Sequence, residues 1–475
     1  MSDQLIISVS GLRGIVGDTL TPGVAARYAA AFAEVLPPGP VVVTRDGRAN
    51  GGALVPAVVA GLAGDGSRKV LDGGIAATPT TGVLVTGLHC AGGVQISASH
   101  NPAEYNGMKL FSAEGRVVPS ELGGRVLERF NQTASLGWHA PEPPAKGVEE
   151  GALLTTSIAG STGNPTQSIA DTTSAHLALV ERIVDVSRIR TRRFRVLLDA
   201  NHGSGSVLGR PLLQHLGCDV TLVGGEPDGH FFHPPEPTAE NLAGVLADVT
   251  RVGADIGFCQ DPDADRLAII DERGRYIGEE YTLALCVDHV LRNSAGPIVT
   301  NCSTSRMTED LARKYGAPFY RSAVGEANVV DMMLRHDAVL GGEGNGGVID
   351  PRVGLVRDSF VGMALVLDAM AARELPVSAL AVEMPRYAIC KTKIELATNN
   401  IAEVYAALER RFSDATADRL DGLRLDWFHA DGGGNWLLVR PSNTEPIVRV
   451  IAESPTHAES ARLCDDAASE IAALR

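Results

Sequence analysis

An α/β fold with substantial parallel sheet is predicted by three observations. Short apolar runs read as buried strands, stretches with helix-like apolar spacing separate them, and polar loops close the runs. Taken in order, Pro22 to Leu36 carries the first helical pattern and Val41-Val-Val-Thr the strand after it. Val94-Gln-Ile-Ser and Val196-Leu-Leu-Asp are further strands, the second followed by helical spacing from Leu208 to Leu216. Ala254-Asp-Ile-Gly-Phe and Pro297-Ile-Val-Thr complete the set, with another helical pattern from Met307 to Tyr315. In such sheets, ligands gather at loops beyond the carboxyl ends of strands.

Two breaks divide the chain. Residues 137 to 170 hold Pro141-Glu-Pro-Pro and a Ser/Thr/Gly/Asn-rich run, which reads as a linker or long loop. A second break, around Leu375 to Pro385, precedes a segment reading strand, helix, three strands, helix, for which α+β is the better class. No sequence repeat is evident.

The length, 475 residues, allows several domains. A net charge of −15 argues against nucleic acid as partner, since binding phosphate backbones needs clustered Lys and Arg. Seven scattered cysteines without zinc spacing read as reduced, buried thiols. No secretory signal and no membrane-length apolar run is seen, so a cytoplasmic location is expected.

Four motifs carry chemistry. Ser97-Ala-Ser-His-Asn-Pro102 follows a strand, where a loop can present Ser99 as a nucleophile; an ordinary turn is the alternative. Asp261-Pro-Asp-Ala-Asp-Arg266 places three carboxylates at alternate positions, which repel unless a cation such as Mg²⁺ joins them. A calcium loop is excluded because Arg266 stands where an EF-hand needs glycine, although Glu272 falls at the twelfth position. Gly341-Gly-Glu-Gly-Asn-Gly-Gly347 lets backbone approach a ligand, with Glu343 and Asn345 able to bond hydroxyls; a flexible turn is the alternative. Arg440-Pro-Ser-Asn-Thr-Glu-Pro446, with Arg449 beyond it, offers a phosphate cradle in Arg440, Ser442, Asn443 and Thr444, or a polar hairpin. No nucleotide-triphosphate loop occurs, and Gly203-Ser-Gly205 followed by Leu208 fails the dinucleotide fingerprint.

In this order the four motifs resemble those of the α-D-phosphohexomutase superfamily across essentially the whole chain. The resemblance implies three similar mixed α/β domains and a smaller α+β carboxy-terminal one. They are expected at 1–150, 165–275, 276–380 and 381–475, bearing in turn the phosphoserine, metal, sugar and phosphate loops. It implies that Ser99 is phosphorylated, that Asp261, Asp263 and Asp265 with Ser99 hold one Mg²⁺, and that Glu343 and Asn345 hold the sugar. Ser10-Gly-Leu-Arg-Gly14 is similar to the family's amino-terminal motif and implies an active-site Arg13; Asn106-Gly-Met-Lys109 implies an active-site Lys. Many relatives carry Glu-x-Ser-Gly-His in the sugar loop, with the His as acid/base. Here Asn345 replaces the Ser and Gly347 the His.

The implied reaction moves a phosphoryl group between the 1- and 6-positions of a hexose through a hexose 1,6-bisphosphate intermediate and activator. Arg13, Lys109 and Arg266 are expected to stabilise the transition state. Lys109, with its pKa lowered by neighbouring cations, is the first acid/base candidate and His100 the second. Arg440 to Thr444 with Arg449 would hold the phosphate that is not reacting, and a mobile last domain would exclude water. Glucosamine phosphate leads as substrate, before glucose and mannose phosphates. A phosphatase or a silent sugar-phosphate sensor are the competing functions, and monomer or homodimer stays open.

Overall fold

A computed structural model describes residues 5–64, 66–135, 166–395, 401–429, 433–441 and 447–474. Among them, four sheets are built. The first has seven strands, four consecutive ones being Val70–Ile75, Val41–Arg45, Gly92–Ile96 and Tyr105–Ser112. The second is Asp219–Val223, Arg195–Asp199, Ile256–Gln260 and Leu267–Asp271. The third is Phe319–Ser322, Ile298–Asn301, Leu340–Glu343 and Gly347–Ile349. In each foursome three strands are parallel and the last is antiparallel. In each, the chain also visits them in the spatial order second, first, third, fourth.

That shared topology positions the site. The turn from third to fourth strand lies at the carboxyl end of the third, and it is residues 97–104 in the first sheet, 261–266 in the second and 344–346 in the third. Three of the motifs thus occupy one topological place in three α/β units that show no evident sequence repeat.

The predicted strands are all present, shifted by one or two residues. Their central side chains, among them Val94, Leu198, Phe258 and Val299, are fully buried, as expected for parallel strands covered on both faces by helices. The helices run Pro22–Val35, Gly205–His215 and Met307–Lys314, close to their sequence patterns. Helix Ser359–Arg373 is buried from Ser359 to Ala371 and joins the cores of the second and third units. The metal and sugar loops therefore sit on one packed body.

The last sheet is antiparallel, ordered Ala388–Glu395, Ile447–Ser454, Gly434–Pro441, Leu423–Phe428 and Thr416–Asp418. Thr416–Asp418 was not foreseen: it is short and wholly exposed, so it leaves no apolar signature. Helices Ile401–Arg411 and His457–Ala472 cover one face through Val404, Leu408, Leu463 and Ile471. On the other face, Trp436 and Leu438 pack on Cys302 of the third unit. Buried charges latch these units: Arg306 donates to Asp426 at 2.5 Å, and its backbone N–H to Glu453 at 2.8 Å. Arg306 thus has Asp426 as its counter-ion, while Glu453 is held by N–H donors, the Arg306 backbone and the Trp436 indole.

Of the segment read as a linker, Thr166–Ser168 forms the edge strand beside Val70–Ile75, while 136–165 lie outside the described residues. All seven cysteines are free. Among the described residues, no helix is long and apolar enough to cross a membrane.

Candidate active site

Ser99 sits in the tight turn after Gly92–Ile96 with φ of +49°, a left-handed conformation that a side chain enters at a cost of about 1–3 kcal/mol. Two neighbours enforce it. Ser97 Oγ accepts the Ser99 N–H at 2.9 Å and donates to Asp46 at 2.7 Å. Arg48, 1% exposed, donates to the carbonyls of Ser99, Asn101 and Pro102, each at 2.6 Å, and to that of Tyr105 at 3.0 Å. Its Nε pairs with Asp46 at 3.1 Å.

Arg48 was not singled out from the sequence, although Arg45-Asp46-Gly47-Arg48 is a charged cluster at a strand end. Arg48→Met leaves the Asp46 carboxylate buried without its counter-ion and the carbonyls of Ser99, Asn101, Pro102 and Tyr105 without their side-chain donor, so a stability loss of about 3–5 kcal/mol is expected. Turnover per folded molecule should also fall, because only the Ser97 hydroxyl would still hold the turn. Thermal denaturation alongside activity checks both; unchanged turnover in the folded variant contradicts it.

Ser99 Oγ donates to Asp261 Oδ2 at 2.7 Å. Asp261, Asp263 and Asp265 are fully buried, and one carboxylate oxygen from each lies within 4.8 Å of the others. The loop is pinned by neighbouring units: Thr78 donates its hydroxyl to Asp263 at 2.6 Å and Ser359 donates to the Ala264 carbonyl at 2.7 Å. Burial, together with Asp263 and Asp265, raises Asp261 far above the usual carboxylate range. Burial also opposes charge on Asp265, yet Arg357 and Lys109 hold it low. Asp263 Oδ1 and Asp265 Oδ1 are buried and accept no hydrogen bond. Oxygen donors with mutual repulsion and free lone pairs fit a hard divalent cation.

The remaining side chains border this centre. Lys109 Nζ lies 2.7 Å from Asp265 and 3.2 Å from Asp263. The expectation of a lowered Lys109 is overturned: burial does oppose its charge, but Asp263 and Asp265 lift it above the ordinary lysine value. Its nearest neighbours are carboxylates, not cations. His100 Nδ1 is 3.4 Å from Ser99 Oγ, and burial with Arg266 and Arg13 pushes the imidazole down to about 2. Arg13 donates to Asn101 at 2.9 Å, and Arg266 Nε lies 3.9 Å from Asp265.

Glu343 accepts from Asn301 at 2.7 Å and from the Gly325 N–H at 3.2 Å; Asn345 donates to it at 3.4 Å. The reading of a flexible turn fails for its first half, since Leu340–Glu343 is a buried strand. At Gly344 the Glu280 carboxylate occupies the space a Cβ would take, its oxygens at 2.0 and 2.1 Å, so a side chain there would have to displace it.

On the opposite wall, Arg440 and Arg449 face each other on adjacent strands, and Lys393 is directly across from Arg449. Cations aligned on three neighbouring strands repel and so invite an anion between them. Arg440 also pairs with Asp421 at 3.4 Å. Lys393 escaped the sequence reading because the motif around Arg440 is remote from it; only strand register joins them. Ser442, Asn443 and Thr444 lie outside the described residues. A cleft of about 860 Å³ joins Arg13, His100 and Lys109 to Arg266, to Glu343 and Asn345, and to Lys393, Arg440 and Arg449. All four sheet units contribute to that one cavity.

Three similar α/β units and an antiparallel fourth, closing on a buried serine, an aspartate triad and a basic wall, define a phosphohexomutase. Family models bear this out along the chain. Phosphoglucomutase/phosphomannomutase alpha/beta/alpha domains I, II and III match residues 5–136, 174–274 and 279–387, and the C-terminal domain matches 393–470. The chain belongs to the phosphoglucomutase/phosphomannomutase family. It is 37% identical over 462 residues to a "Phosphoglucomutase/phosphomannomutase" of Thermococcus kodakarensis, covering 95% of both chains. With a "Probable phosphoglucosamine mutase" of Methanopyrus kandleri it shares 31% identity, over 96% of this chain and 95% of that one. A crystal structure of a family protein from Burkholderia thailandensis superposes with a TM-score of 0.78 at 26% identity, covering 98% of each chain. Aspergillus fumigatus N-acetylphosphoglucosamine mutase, solved with GlcNAc-6P and magnesium, shares the fold at 15% identity, with a TM-score of 0.52 over 83% of this chain and 92% of that one.

Proposed function

We propose that this phosphohexomutase works through phosphorylated Ser99 and acts on glucosamine phosphate. The observation that carries the first part is Ser99 Oγ at 2.7 Å from Asp261 of the aspartate triad, directly behind Ser97, His100 and Lys109, which line a cleft shared with Arg440 and Arg449. In the first half-reaction the Ser99 Oγ–P bond breaks and a sugar O–P bond forms. The proton of the attacking hydroxyl ends on Ser99 Oγ. In a loose transition state that hydroxyl keeps its proton until late, so strong base catalysis is not required. Lys109 is accordingly assigned a charge-stabilising role with Arg13 and Arg266 rather than that of a proton acceptor, and His100 a supporting hydrogen bond. One Mg²⁺ held by Asp261, Asp263, Asp265 and Ser99 would supply Lewis-acid stabilisation of the phosphoryl oxygens.

The 1,6-bisphosphate must then turn end for end, so the second phosphate can return to Ser99. Glu343 and Asn345 suit mid-ring hydroxyls, which lie alike in both orientations. Arg440 and Arg449, joined by Ser442, Asn443 and Thr444 of the same sequence motif, anchor the idle phosphate. Losing one charged anchor costs about 1.5–3 kcal/mol, so Arg440→Ala should raise KM for either monophosphate about 10- to 150-fold. Steady-state kinetics check this; an unchanged KM would contradict the anchor.

Glucosamine phosphate is supported by the Gly-Glu-x-Asn-Gly-Gly loop and by the name of the Methanopyrus relative. Glucose or mannose phosphate is favoured instead by the name of the relative at 37% identity. Mutase assays on all three sugars, with Mg²⁺ and catalytic bisphosphate, separate them. Dominant turnover of glucosamine phosphate supports the proposal, and dominance of another sugar overturns the substrate. Released inorganic phosphate without isomerisation indicates a phosphatase, and binding without turnover a sensor.

A further inference from the structure

Arg357 lies in none of the sequence motifs, yet it joins two of them. Its Nη1 donates to Glu343 of the sugar loop at 2.5 Å and its Nη2 to Asp265 of the metal loop at 2.6 Å. Glu326 closes the third side, with Oε2 at 3.4 Å from Nε and Oε1 accepting the Arg357 N–H at 2.9 Å. The side chain is 10% exposed and reaches the cleft. Behind it, Asp358 caps helix Ser359–Arg373, accepting the N–H groups of Phe360 and Val361, so the backbone that carries the guanidinium is fixed.

The same residue explains Gly347, which has no left-handed φ. A Cβ on Gly347 would lie 2.3 Å from Arg357 Cδ and 2.8 Å from Cγ. Position 347 is thus bare because the arginine stem fills its space, and an imidazole there and Arg357 as placed exclude each other. A guanidinium presents a planar fork and does not deprotonate, so it orients carboxylates without carrying protons.

We propose that Arg357 is the positioning residue that sets the sugar loop against the metal loop, in the space where many relatives hold the sugar-loop histidine. This rests on the mutase reading above. Its consequence is a register between two groups: the hydroxyls held by Glu343 and the phosphoryl held near Asp265 stay aligned in both sugar orientations.

The test compares wild type with Arg357→Met, Arg357→Lys, Arg357→Ala, Gly347→Ala and the double Gly347→Ala/Arg357→Ala, measuring kcat, KM and thermal midpoint. Arg357→Met should lower kcat about 10²- to 10³-fold, the usual effect of removing one preorganised donor, with a much smaller change in KM. Arg357→Lys keeps a cation among the carboxylates and so a folded protein, but cannot bridge both, and its kcat should also fall. Gly347→Ala should lower kcat by displacing the stem, and should add nothing once Arg357 is Ala. Losses that multiply in the double variant, or a lowered thermal midpoint with kcat per folded molecule unchanged, overturn the inference. An active wild type with fully active Arg357→Lys and Arg357→Met overturns this inference alone. A wild type without mutase turnover overturns it together with the mutase reading.

Discussion

Ser99→Ala is expected to reduce mutase turnover by about 10⁴-fold or more, the scale seen when a covalent nucleophile is removed. The fold should survive. The Ser99 N–H and carbonyl remain held by Ser97 and Arg48, and the side chain gives up its 2.7 Å hydrogen bond to Asp261. Loss of that bond costs about 1 kcal/mol, too little to unfold a domain. Sugar phosphate should still bind, because Arg440, Arg449 and Glu343 are untouched. The variant therefore separates chemistry from binding: calorimetric titration shows the ligand held while the coupled assay shows no product. Turnover within tenfold of wild type would remove Ser99 from the reaction.

Chelation of divalent metal should be nearly as severe, a loss of about 10³-fold that added Mg²⁺ restores, since a Lewis acid on a phosphoryl group contributes several kcal/mol. Asp263→Asn should lose activity comparably and respond poorly to Mg²⁺, although Thr78 and Lys109 still surround the position. Stability follows the same logic. Asp261 is raised by burial and by its two carboxylate neighbours, so the bare triad disfavours its charged form. A cation that binds only the folded state should raise the thermal midpoint of wild type in proportion to ln(1 + [Mg²⁺]/Kd). A midpoint indifferent to Mg²⁺, with activity surviving chelation, would exclude the triad as a metal site.

Much of this was legible in the chain because each motif is contiguous. A strand followed by Ser97-Ala-Ser-His-Asn-Pro or by Asp261-Pro-Asp-Ala-Asp-Arg carries its chemistry in a few adjacent residues, and their order discriminates strongly. What stayed hidden depends on residues distant in sequence. The common strand order of the three α/β units lies in connectivity, which sequences as unlike as Val41–Arg45 and Ile298–Asn301 do not reveal. Lys393 joins Arg449 and Arg440 through strand register alone. Arg357 follows an unremarkable Gly354-Leu-Val, and its role comes from three carboxylates supplied by separate segments. The charge neighbours of Lys109 are hidden for a related reason: tertiary packing, not its own motif, places its ammonium between Asp263 and Asp265.

Transfer through Ser99 is tested most directly by following the phosphate itself. Protein freed of phosphate is incubated with hexose 1,6-bisphosphate carrying radiolabelled phosphate, and the labelled peptide is mapped by mass spectrometry. The expected result is one labelled residue, Ser99, whose label then chases into hexose monophosphate and bisphosphate when unlabelled sugar phosphate is added. Label on any other residue, or label leaving Ser99 only as inorganic phosphate, would contradict a phosphoserine mutase.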